Sequence, residues 1–235
     1  MLVKTKAIVI SALRYQDKSL IVKCFTESDG LRSYYVRDAF SSKKSAQRTV
    51  YFQPLTLIEI EAVHKNKGTL EYFKEVRLAH PYFTINKDIV KTTIAIFISE
   101  MLHHSIKEEE KNQSLYSFLE TALLWLDSHD NAANFHLVLL MEMTKFLGFY
   151  PDKNNDNPFF EMTEGVFTPY HAISCLSEEG TALLRTLMGL KFDNTQPFHV
   201  TERQELLKIL LDYYAFHLDG FKRPNSVEVL REVFG

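Results

Sequence analysis

The residues best suited by type and spacing to bind a ligand are two adjacent tyrosines with basic side chains around them. The basic residues are Arg32, Arg37, Lys43, Lys44 and Arg48. A single-stranded nucleic acid is bound through cations that contact its phosphates and aromatic rings that stack on its bases. Side chains of a strand alternate between its faces, so Tyr34 and Tyr35 must point in opposite directions and at least one is expected to be structural. Tyr34 is the candidate for stacking, and Tyr35 is the alternative.

Patterns that would support catalysis or metal binding are weak. His103 and His104 precede the acidic run 108–110. Adjacent histidines on a helix point about 100° apart, and the His-Glu-x-x-His spacing of a zinc protease helix is missing. Cys175 and His171 offer two ligands where a structural zinc site needs four. The eight glycines form no clustered phosphate-binding loop. We therefore expect no enzyme activity, no cofactor and no metal.

Charge divides the chain into two unlike parts. The first eighty residues hold 14 Lys and Arg against 8 Asp and Glu, a net charge of about +6. The remainder is net acidic, and the whole chain has a formal charge of −3. A basic module followed by an acidic body suggests that the first part binds nucleic acid and that the second has other partners.

Residue patterns in the basic part predict five short strands. The predicted strands are Thr5–Leu13, Ser19–Thr26, Leu31–Arg37, Tyr51–Val63 and Leu70–Leu78, and the polar segment 38–48 is a loop. Pro54 is expected at an edge or bulge of the fourth strand. Five strands in under eighty residues fit a small closed barrel of the OB type, although an SH3-like barrel has a similar pattern.

The last predicted strand alternates between apolar and charged residues. Leu70, Tyr72, Val76 and Leu78 are expected on one face, and Glu71, Glu75 and Arg77 on the other. Lys74 is the exception, because it falls on the apolar face.

The acidic part has the periodicity of helices. The predicted helices are Asp88–His104, Ser114–Ser128, Asn134–Leu147, 178 to about 188, 201 to about 218, and a final turn or two capped by Asn225 or Ser226. Gly148 and Ser177 are expected caps, Thr201 opens a capping-box spacing, and 165–168 fits a short strand. The sequence therefore predicts an α+β protein with a barrel domain at 1–80 and a helical domain at 81–235.

The cell compartment is predicted from what the sequence lacks. No stretch approaches the roughly 18 apolar residues of a membrane span. The N-terminal apolar run is too short for a signal peptide and has no cleavage site after it. Cys24 and Cys175 lie in different halves, so a disulfide is not expected, and the chain is predicted to be cytoplasmic.

An ordered set of short segments resembles the RecO family of bacterial recombination mediators. In the first part these are Ala7-Ile8-Val9-Ile10, Tyr15 with Asp17-Lys18-Ser19-Leu20, Phe25-Thr26-Glu27 with Gly30-Leu31-Arg32, Val36-Arg37, Ser42-Lys43-Lys44-Ser45 and Phe52-Gln53-Pro54-Leu55. In the second part they are Phe146-Leu147-Gly148-Phe149 with Pro151-Asp152, His217-Leu218-Asp219-Gly220-Phe221 and Pro224-Asn225-Ser226. No single segment is decisive, but their order along nearly the whole chain is specific.

The resemblance implies a fold and a function. It implies an N-terminal OB-fold joined to a helical domain. It also implies binding of single- and double-stranded DNA, annealing of complementary strands, and loading of RecA onto DNA coated by single-strand-binding protein. RecR and the acidic C-terminal tail of single-strand-binding protein are the implied protein partners.

Two segments depart from the family pattern. Many members carry four zinc-binding cysteines after the equivalent of Gly148, whereas this chain keeps only Cys175. We therefore expect a degenerate, zinc-less insertion at about 149–176, packed by Phe159, Phe160, Phe167 and Tyr170. The family's Lys-Gly-Ala-Arg stretch is Arg37-Asp38-Ala39-Phe40 here. Its absence makes Lys43 and Lys44 more important for binding phosphates.

A site for the acidic tail peptide is expected in the helical part. Because that part is net negative, a small apolar pocket with one or two cations at its rim is the favoured arrangement. The candidate cations are Lys145, Lys153 and Arg185, and the candidate walls are Phe146, Leu147 and Phe149. The alternative is that these apolar residues belong to the ordinary core.

Two other functional classes fit part of the sequence. One is an OB-type RNA-binding or translation-associated module with a helical interaction domain. The other is a helical enzyme with an appended barrel, which a pocket with paired carboxylates would favour. The ability to anneal complementary DNA distinguishes the mediator from both.

The purified protein is predicted to hold no stoichiometric zinc, because the segment that follows Gly148 lacks the four ligands of a closed site. Elemental analysis after dialysis against a chelator should find far less than one zinc ion per chain. A zinc-finger protein of similar size, dialysed in parallel under conditions that leave its metal bound, is the control. One zinc ion per chain would contradict the prediction.

Overall fold

The computed structural model describes residues 1–42, 49–65, 70–107, 111–152, 156–194 and 198–234. These residues form two compact units, Met1–Ser128 and His129–Gly235. The first contains a barrel and two helices, and the second contains four helices and a short hairpin. No helix within the described ranges is both long enough and apolar enough to cross a bilayer.

Five strands close into a barrel, which confirms the predicted OB-type architecture. They are β1 (Leu2–Tyr15), β2 (Ser19–Thr26), β3 (Gly30–Val36), β4 (Leu57–Val63) and β5 (Glu71–Leu78). Their order around the barrel is β1-β2-β3-β5-β4, and β4 pairs again with β1. All pairs are antiparallel except β3 with β5, which run parallel and pair at only two positions.

β1 is buried on both faces. Ala7 and Val9 point into the barrel core, where they meet side chains of β2, β3 and β4. Ile8 and Ile10 are fully buried as well, although they lie outside that core cluster. A register shift between Val9 and Ser11 marks a bulge in the pairing with β2. The outer side of β1 must therefore be covered by other elements.

Helices α1 (Ile89–Ser105) and α2 (Gln113–Ser128) provide this cover. The Ser99 hydroxyl of α1 donates to the Ile10 carbonyl oxygen at 2.5 Å, and the ring of Tyr116 in α2 lies 6.1 Å from that of Phe25. Lys6 pairs with Glu120 at 3.0 Å. The compact unit therefore includes both helices. A domain boundary near residue 80 stays a prediction, because compactness does not measure where independently folding parts divide.

The segment predicted as one long fourth strand is broken. Thr49–Phe52 forms a short 3₁₀ helix, and β4 begins only at Leu57. Pro54 has no backbone N–H for a strand pairing, and Leu55 adopts a positive φ of 59°. Leu55 still donates its N–H to the Val9 carbonyl oxygen at 2.8 Å, so the turn is fixed to β1.

The face assignment predicted for the last strand is wrong because of a bulge. Glu61 pairs with Glu75, but the next residue, Ala62, pairs with Phe73, so Lys74 is an extra residue. Val76 and Phe73 consequently both pack against the barrel core. On the far side of the bulge Glu71 is buried and Tyr72 is exposed, the reverse of the predicted arrangement.

A buried carboxylate fastens the chain between barrel and helices to the end of α2. Asp127 accepts hydrogen bonds from the backbone N–H groups of Phe83, Thr84 and Ile85 at 2.8–3.1 Å. The Thr84 hydroxyl donates to the Asp127 carbonyl oxygen at 2.6 Å. Burial acts to raise the pKa of Asp127, but these hydrogen bonds outweigh it and the pKa is lowered.

The second unit is built around aromatic side chains of its longest helix. Its helices are α3 (Phe135–Leu147), α4 (Glu178–Gly189), α5 (Val200–His217) and α6 (Val227–Phe234). Gly148 ends α3 with a φ of 86°, and the Ser177 hydroxyl oxygen accepts the Gly180 N–H at 3.1 Å. Both predicted caps are confirmed. α5 begins before the predicted Thr201, since Glu202 accepts the His199 N–H at 2.7 Å.

The region predicted to be a zinc-less insertion contains a two-stranded hairpin. Its strands are β6 (Phe159–Glu161) and β7 (Val166–Thr168). Phe160 and Phe167 are buried, and the Phe160 ring lies 5.6 Å from that of Tyr213 in α5. Tyr170 is 79% exposed, so its predicted packing role is wrong.

Within the described ranges, no three His, Cys, Asp or Glu side chains are placed to share a metal ion. Cys24 and Cys175 are both free thiols.

Replacing Asp127 with Asn should lower the free energy of unfolding by about 2 kcal/mol, because an amide cannot satisfy the same three N–H donors. The folded-state pKa of Asp127 is lowered, so its contribution is complete above the unfolded value of about 3.9 and is lost as the pH falls through the folded value. Urea titrations of both proteins should therefore show a stability gap at pH 7 that narrows below about pH 4.

Asp130→Asn is the matched control, because Asp130 is exposed and three residues away. An equal decrease in stability in both variants, or a gap that does not depend on pH, would show that the Asp127 carboxylate has no special role.

Candidate nucleic-acid interface

The structure separates the two predicted arginines. Arg32 is half-buried at the start of β3, opposite Cys24 of β2, whereas Arg37 is exposed just beyond the end of the strand. At about 3.3 Å per residue, their backbones are on the order of 16 Å apart. The two arginines therefore stand at opposite ends of β3. Lys43, Lys44 and Arg48 lie outside the described residues.

Tyr34 is part of the barrel core, so its assignment as a base-stacking residue is wrong. The side chain is fully buried, and its ring stacks on Phe73 with centroids 4.2 Å apart. Its hydroxyl lies 2.9 Å from Nε2 of His64. Burial raises the pKa of the phenol well above its usual value. A ring enclosed in this way has no face available to a nucleotide.

Tyr35 points to the outer face and belongs to a group of three tyrosines, here called the tyrosine cluster: Tyr15 of β1, Tyr35 of β3 and Tyr72 of β5. The ring centroids of Tyr15 and Tyr35 are 6.1 Å apart with planes at 84°. Those of Tyr35 and Tyr72 are 6.0 Å apart with planes at 81°. Tyr35 and Tyr72 are also direct partners in the parallel pairing of β3 with β5.

The central ring of the tyrosine cluster is held by a hydrogen bond, and its two outer rings are partly exposed. The Tyr35 hydroxyl lies 2.9 Å from the Ser19 hydroxyl oxygen, which sets the orientation of the central ring. Tyr15 and Tyr72 are 44% and 43% exposed. Large parts of both side chains therefore face solvent.

Two basic side chains of the barrel lie over aromatic rings, and one of these rings, Tyr72, belongs to the tyrosine cluster. Nζ of Lys65 lies 5.5 Å from the centroid of the Tyr72 ring, and the Lys65 N–H donates to both carboxylate oxygens of Glu71 at 2.9 Å. Cζ of Arg14 lies 4.8 Å from the centroid of the Phe40 ring. Cations held against aromatic rings can contact a phosphate while a base stacks nearby.

A cleft of about 760 Å³ opens where β3 and β5 diverge. Tyr35, Tyr72, Arg37 and Tyr51 are among the residues that line it. Lys74 in the cleft pairs with Glu61 at 2.5 Å, and this hydrogen bond is the main cause of the lowered pKa of Glu61. The ion pair offsets the charges of both side chains, so it adds little net attraction for a phosphate.

Sequence reasoning missed Tyr15, Tyr72 and Lys65. Alternation along the strand places Tyr34 and Tyr35 on opposite faces. It could not show which face was inside, because that depends on how the barrel closes. The extra residue Lys74 reversed the predicted face of Tyr72.

The residues predicted to bind the tail peptide have separate partners in the second unit. Lys145 is exposed at the end of α3, pairs with Glu142 at 2.5 Å, and has Nζ 4.7 Å from the centroid of the Tyr150 ring. Arg185 of α4 donates to the Asn157 carbonyl oxygen at 2.8 Å. Lys153 lies outside the described ranges.

The apolar candidates of the same site are half-buried. They are Phe146, Leu147 and Phe149. The Phe149 ring is parallel to the His217 ring at 5.1 Å and perpendicular to the Tyr214 ring at 5.2 Å. The Phe149 carbonyl oxygen accepts the Tyr213 hydroxyl at 2.7 Å. Phe149 therefore has a structural role, whatever else the exposed part of its ring contacts.

Comparison with known proteins gives a match along almost the whole chain. Residues 1–82 match the family described as "Recombination protein O N terminal", and residues 86–226 match "Recombination protein O C terminal". Similar relatives named DNA repair protein RecO include that of Flavobacterium psychrophilum, 68% identical over 237 residues, and that of Flavobacterium johnsoniae, 63% identical over 236 residues. A relative with the same name from Bacteroides fragilis is 38% identical over 242 residues. In each case 100% of both chains is covered. Two adjoining family matches and full-length relatives of high identity agree with the barrel and the helices that follow it, and the chain belongs to the RecO family of DNA repair proteins.

Proposed function

We propose that this chain is a recombination mediator. In this role it binds single- and double-stranded DNA, anneals complementary strands, and with RecR helps to load RecA onto DNA coated by single-strand-binding protein. The observation that carries the proposal is a closed OB-type barrel with a basic excess, in a chain whose full length matches RecO proteins. Its place of action would be the cytoplasm, where bacterial DNA is repaired.

DNA binding is assigned to the barrel domain, residues 1–80. Arg37 lies at the cleft between β3 and β5. Lys43, Lys44 and Arg48 follow it within eleven residues of chain, so their side chains can reach phosphates of the same strand. Arg32 would contact a separate part of the DNA backbone, because it stands at the other end of β3. Phosphate contacts of this kind give affinity without sequence preference.

The proposed role requires no covalent step. A nucleophilic mechanism needs a nucleophile within hydrogen-bond reach of an oriented base. In the described part of the cleft, Glu61 is paired with Lys74, and Glu75 is paired with Arg77 at 2.7 Å. A carboxylate in an ion pair is a poor general base, so these two side chains agree better with a binding surface than with a catalytic site.

The second unit would recruit single-strand-binding protein through its acidic tail. The proposed contacts are Lys145 and Arg185 with the carboxylates, and Phe146 and Phe149 with the apolar terminal residue. Lys145 is exposed and close to the end of α3, where the chain continues to Phe149. Its ammonium group would have to exchange Glu142 for a peptide carboxylate, which surface ion pairs do at little cost.

Annealing of complementary oligonucleotides, both bare and coated by single-strand-binding protein, tests the main proposal. The variant with Lys43, Lys44 and Arg48 replaced by Ala should anneal more slowly and bind single strands more weakly. The log–log salt slope should become shallower by about 0.7 for each phosphate that the variant no longer neutralises.

The matched control replaces three exposed lysines of the second unit, Lys191, Lys208 and Lys222, with Ala. It removes the same charge and should leave affinity and slope unchanged. A wild-type protein that binds no DNA and does not accelerate annealing would exclude the mediator function. An equal decrease in affinity in both triple variants would instead exclude the assigned loop.

Binding of a fluorescent tail peptide tests the second surface separately. Polarisation should show weaker binding after deletion of the peptide's terminal apolar residue and after Lys145→Ala, because each change removes one of the proposed interactions. Lys208→Ala is the control. The assignment is wrong if the shortened peptide binds as tightly as the intact one, or if Lys145→Ala and Lys208→Ala have the same effect.

A further inference from the structure

The phosphate contacts proposed above do not use the tyrosine cluster, although its two outer rings, Tyr15 and Tyr72, are more than two fifths exposed. We infer that Tyr15 and Tyr72, held in place by Tyr35, form a stacking site for unpaired bases, with Lys65 beside it to contact a phosphate. The inference rests on the proposed DNA binding and specifies which form of DNA the site takes. Bases of a single strand can leave their stack at low cost, whereas those of a duplex cannot.

The geometry of the rings suits them to stacking. Tyr35 meets both neighbours nearly at right angles, at 84° and 81°. An edge-to-face contact covers less of a ring than a parallel stack does, which agrees with the exposure of more than two fifths of Tyr15 and Tyr72. Each ring therefore keeps surface on which a flat base can lie.

The backbone holds the site in place before a ligand arrives. The three tyrosines stand on three strands of one closed barrel, and Tyr35 and Tyr72 are register partners. The Ser19 hydroxyl fixes the central ring at 2.9 Å from its oxygen. Little conformational entropy remains to be removed when a base stacks, so most of the stacking free energy would contribute to affinity.

Charge favours nucleic acid as the occupant. Nζ of Lys65 lies 5.5 Å from the centroid of the Tyr72 ring, and Arg37 lines the same cleft as Tyr35 and Tyr72. The first eighty residues have a net charge of about +6. Exposed tyrosines can also dock a proline-rich peptide, but such a peptide does not require this many cations. Nucleic acid is therefore the favoured occupant.

The test compares three DNA ligands of equal length: a natural single strand, the same strand with a central run of abasic sites, and a duplex. The wild-type full-length chain should bind the natural strand at least fivefold more tightly than the abasic strand, because stacking is worth about 1–3 kcal/mol per base. Replacing Tyr15 and Tyr72 with Ala should remove this preference. It should leave the affinity for the duplex and the salt slope for the single strand unchanged.

Three variants serve as controls. Tyr170→Ala removes a more exposed tyrosine from the second unit and should change nothing. Replacing Tyr15 and Tyr72 with Phe should keep the preference for the natural strand, because the aromatic face remains. The triple Ala variant at Lys43, Lys44 and Arg48 should weaken binding to all three ligands, which separates phosphate contacts from base contacts.

Each outcome has a definite meaning. Equal affinity of the wild-type chain for natural and abasic strands would overturn the stacking site without the need for any variant, and would leave the proposed DNA binding intact. An equal effect of the Tyr→Ala changes on single strand and duplex would also overturn it, as would full retention of the preference for the natural strand in the Tyr→Ala variant. Failure of the wild-type chain to bind any of the three ligands would reject the proposed function itself.

Discussion

Closure of the barrel depends on a parallel contact between β3 and β5 that is only two residue pairs long. Tyr34 faces Glu71 and Tyr35 faces Tyr72 at this contact. The inner pair places a phenol and a carboxylate in the interior, where His64 and the Lys65 N–H satisfy them. The outer pair brings two rings together at the surface. Beyond these positions the strands diverge, and the gap becomes the cleft. This one short pairing thus positions Tyr34 in the core, brings Tyr35 and Tyr72 together in the tyrosine cluster, and marks where the cleft begins.

The residue pattern was sufficient to predict those strands and helix caps that depend on interactions between residues close together in the sequence. The second strand was predicted with the bounds it has, and the caps at Gly148 and Ser177 follow from glycine's tolerance of positive φ and from the serine hydroxyl as an acceptor. The long fourth strand was wrong because the chain at Pro54 and Leu55 turns to reach Val9, a contact that spans more than forty residues. Long-range contacts of this kind leave no periodic trace in the sequence.

The candidate site was harder to predict than the fold, for a related reason. Alternation shows that neighbouring side chains of a strand diverge, but only the assembled barrel decides which of them is inside. Tyr34 and Tyr35 have the same local surroundings in the sequence and opposite fates in the structure. At Tyr72 the extra residue of the β5 bulge reversed a pattern that would otherwise have predicted the correct face. Candidate binding residues were thus easy to recognise by residue type, but the sequence did not show whether each one faces the core or the solvent.

The cover over β1 has a consequence for how the protein emerges from the ribosome. Ile8 lies between Phe25 and Leu57 in the sheet, and all three are buried on the outer face of the barrel. Phe25 is contacted by Tyr116, and α1 packs against β1, so this apolar row is covered by chain that is synthesised after the last strand. At about 5–20 residues per second, translation of α1 and α2 takes several seconds. During that interval the finished strands carry an apolar stripe without the helices that cover it in the folded protein, and Asp127, near the end of α2, is among the last residues needed to complete the unit.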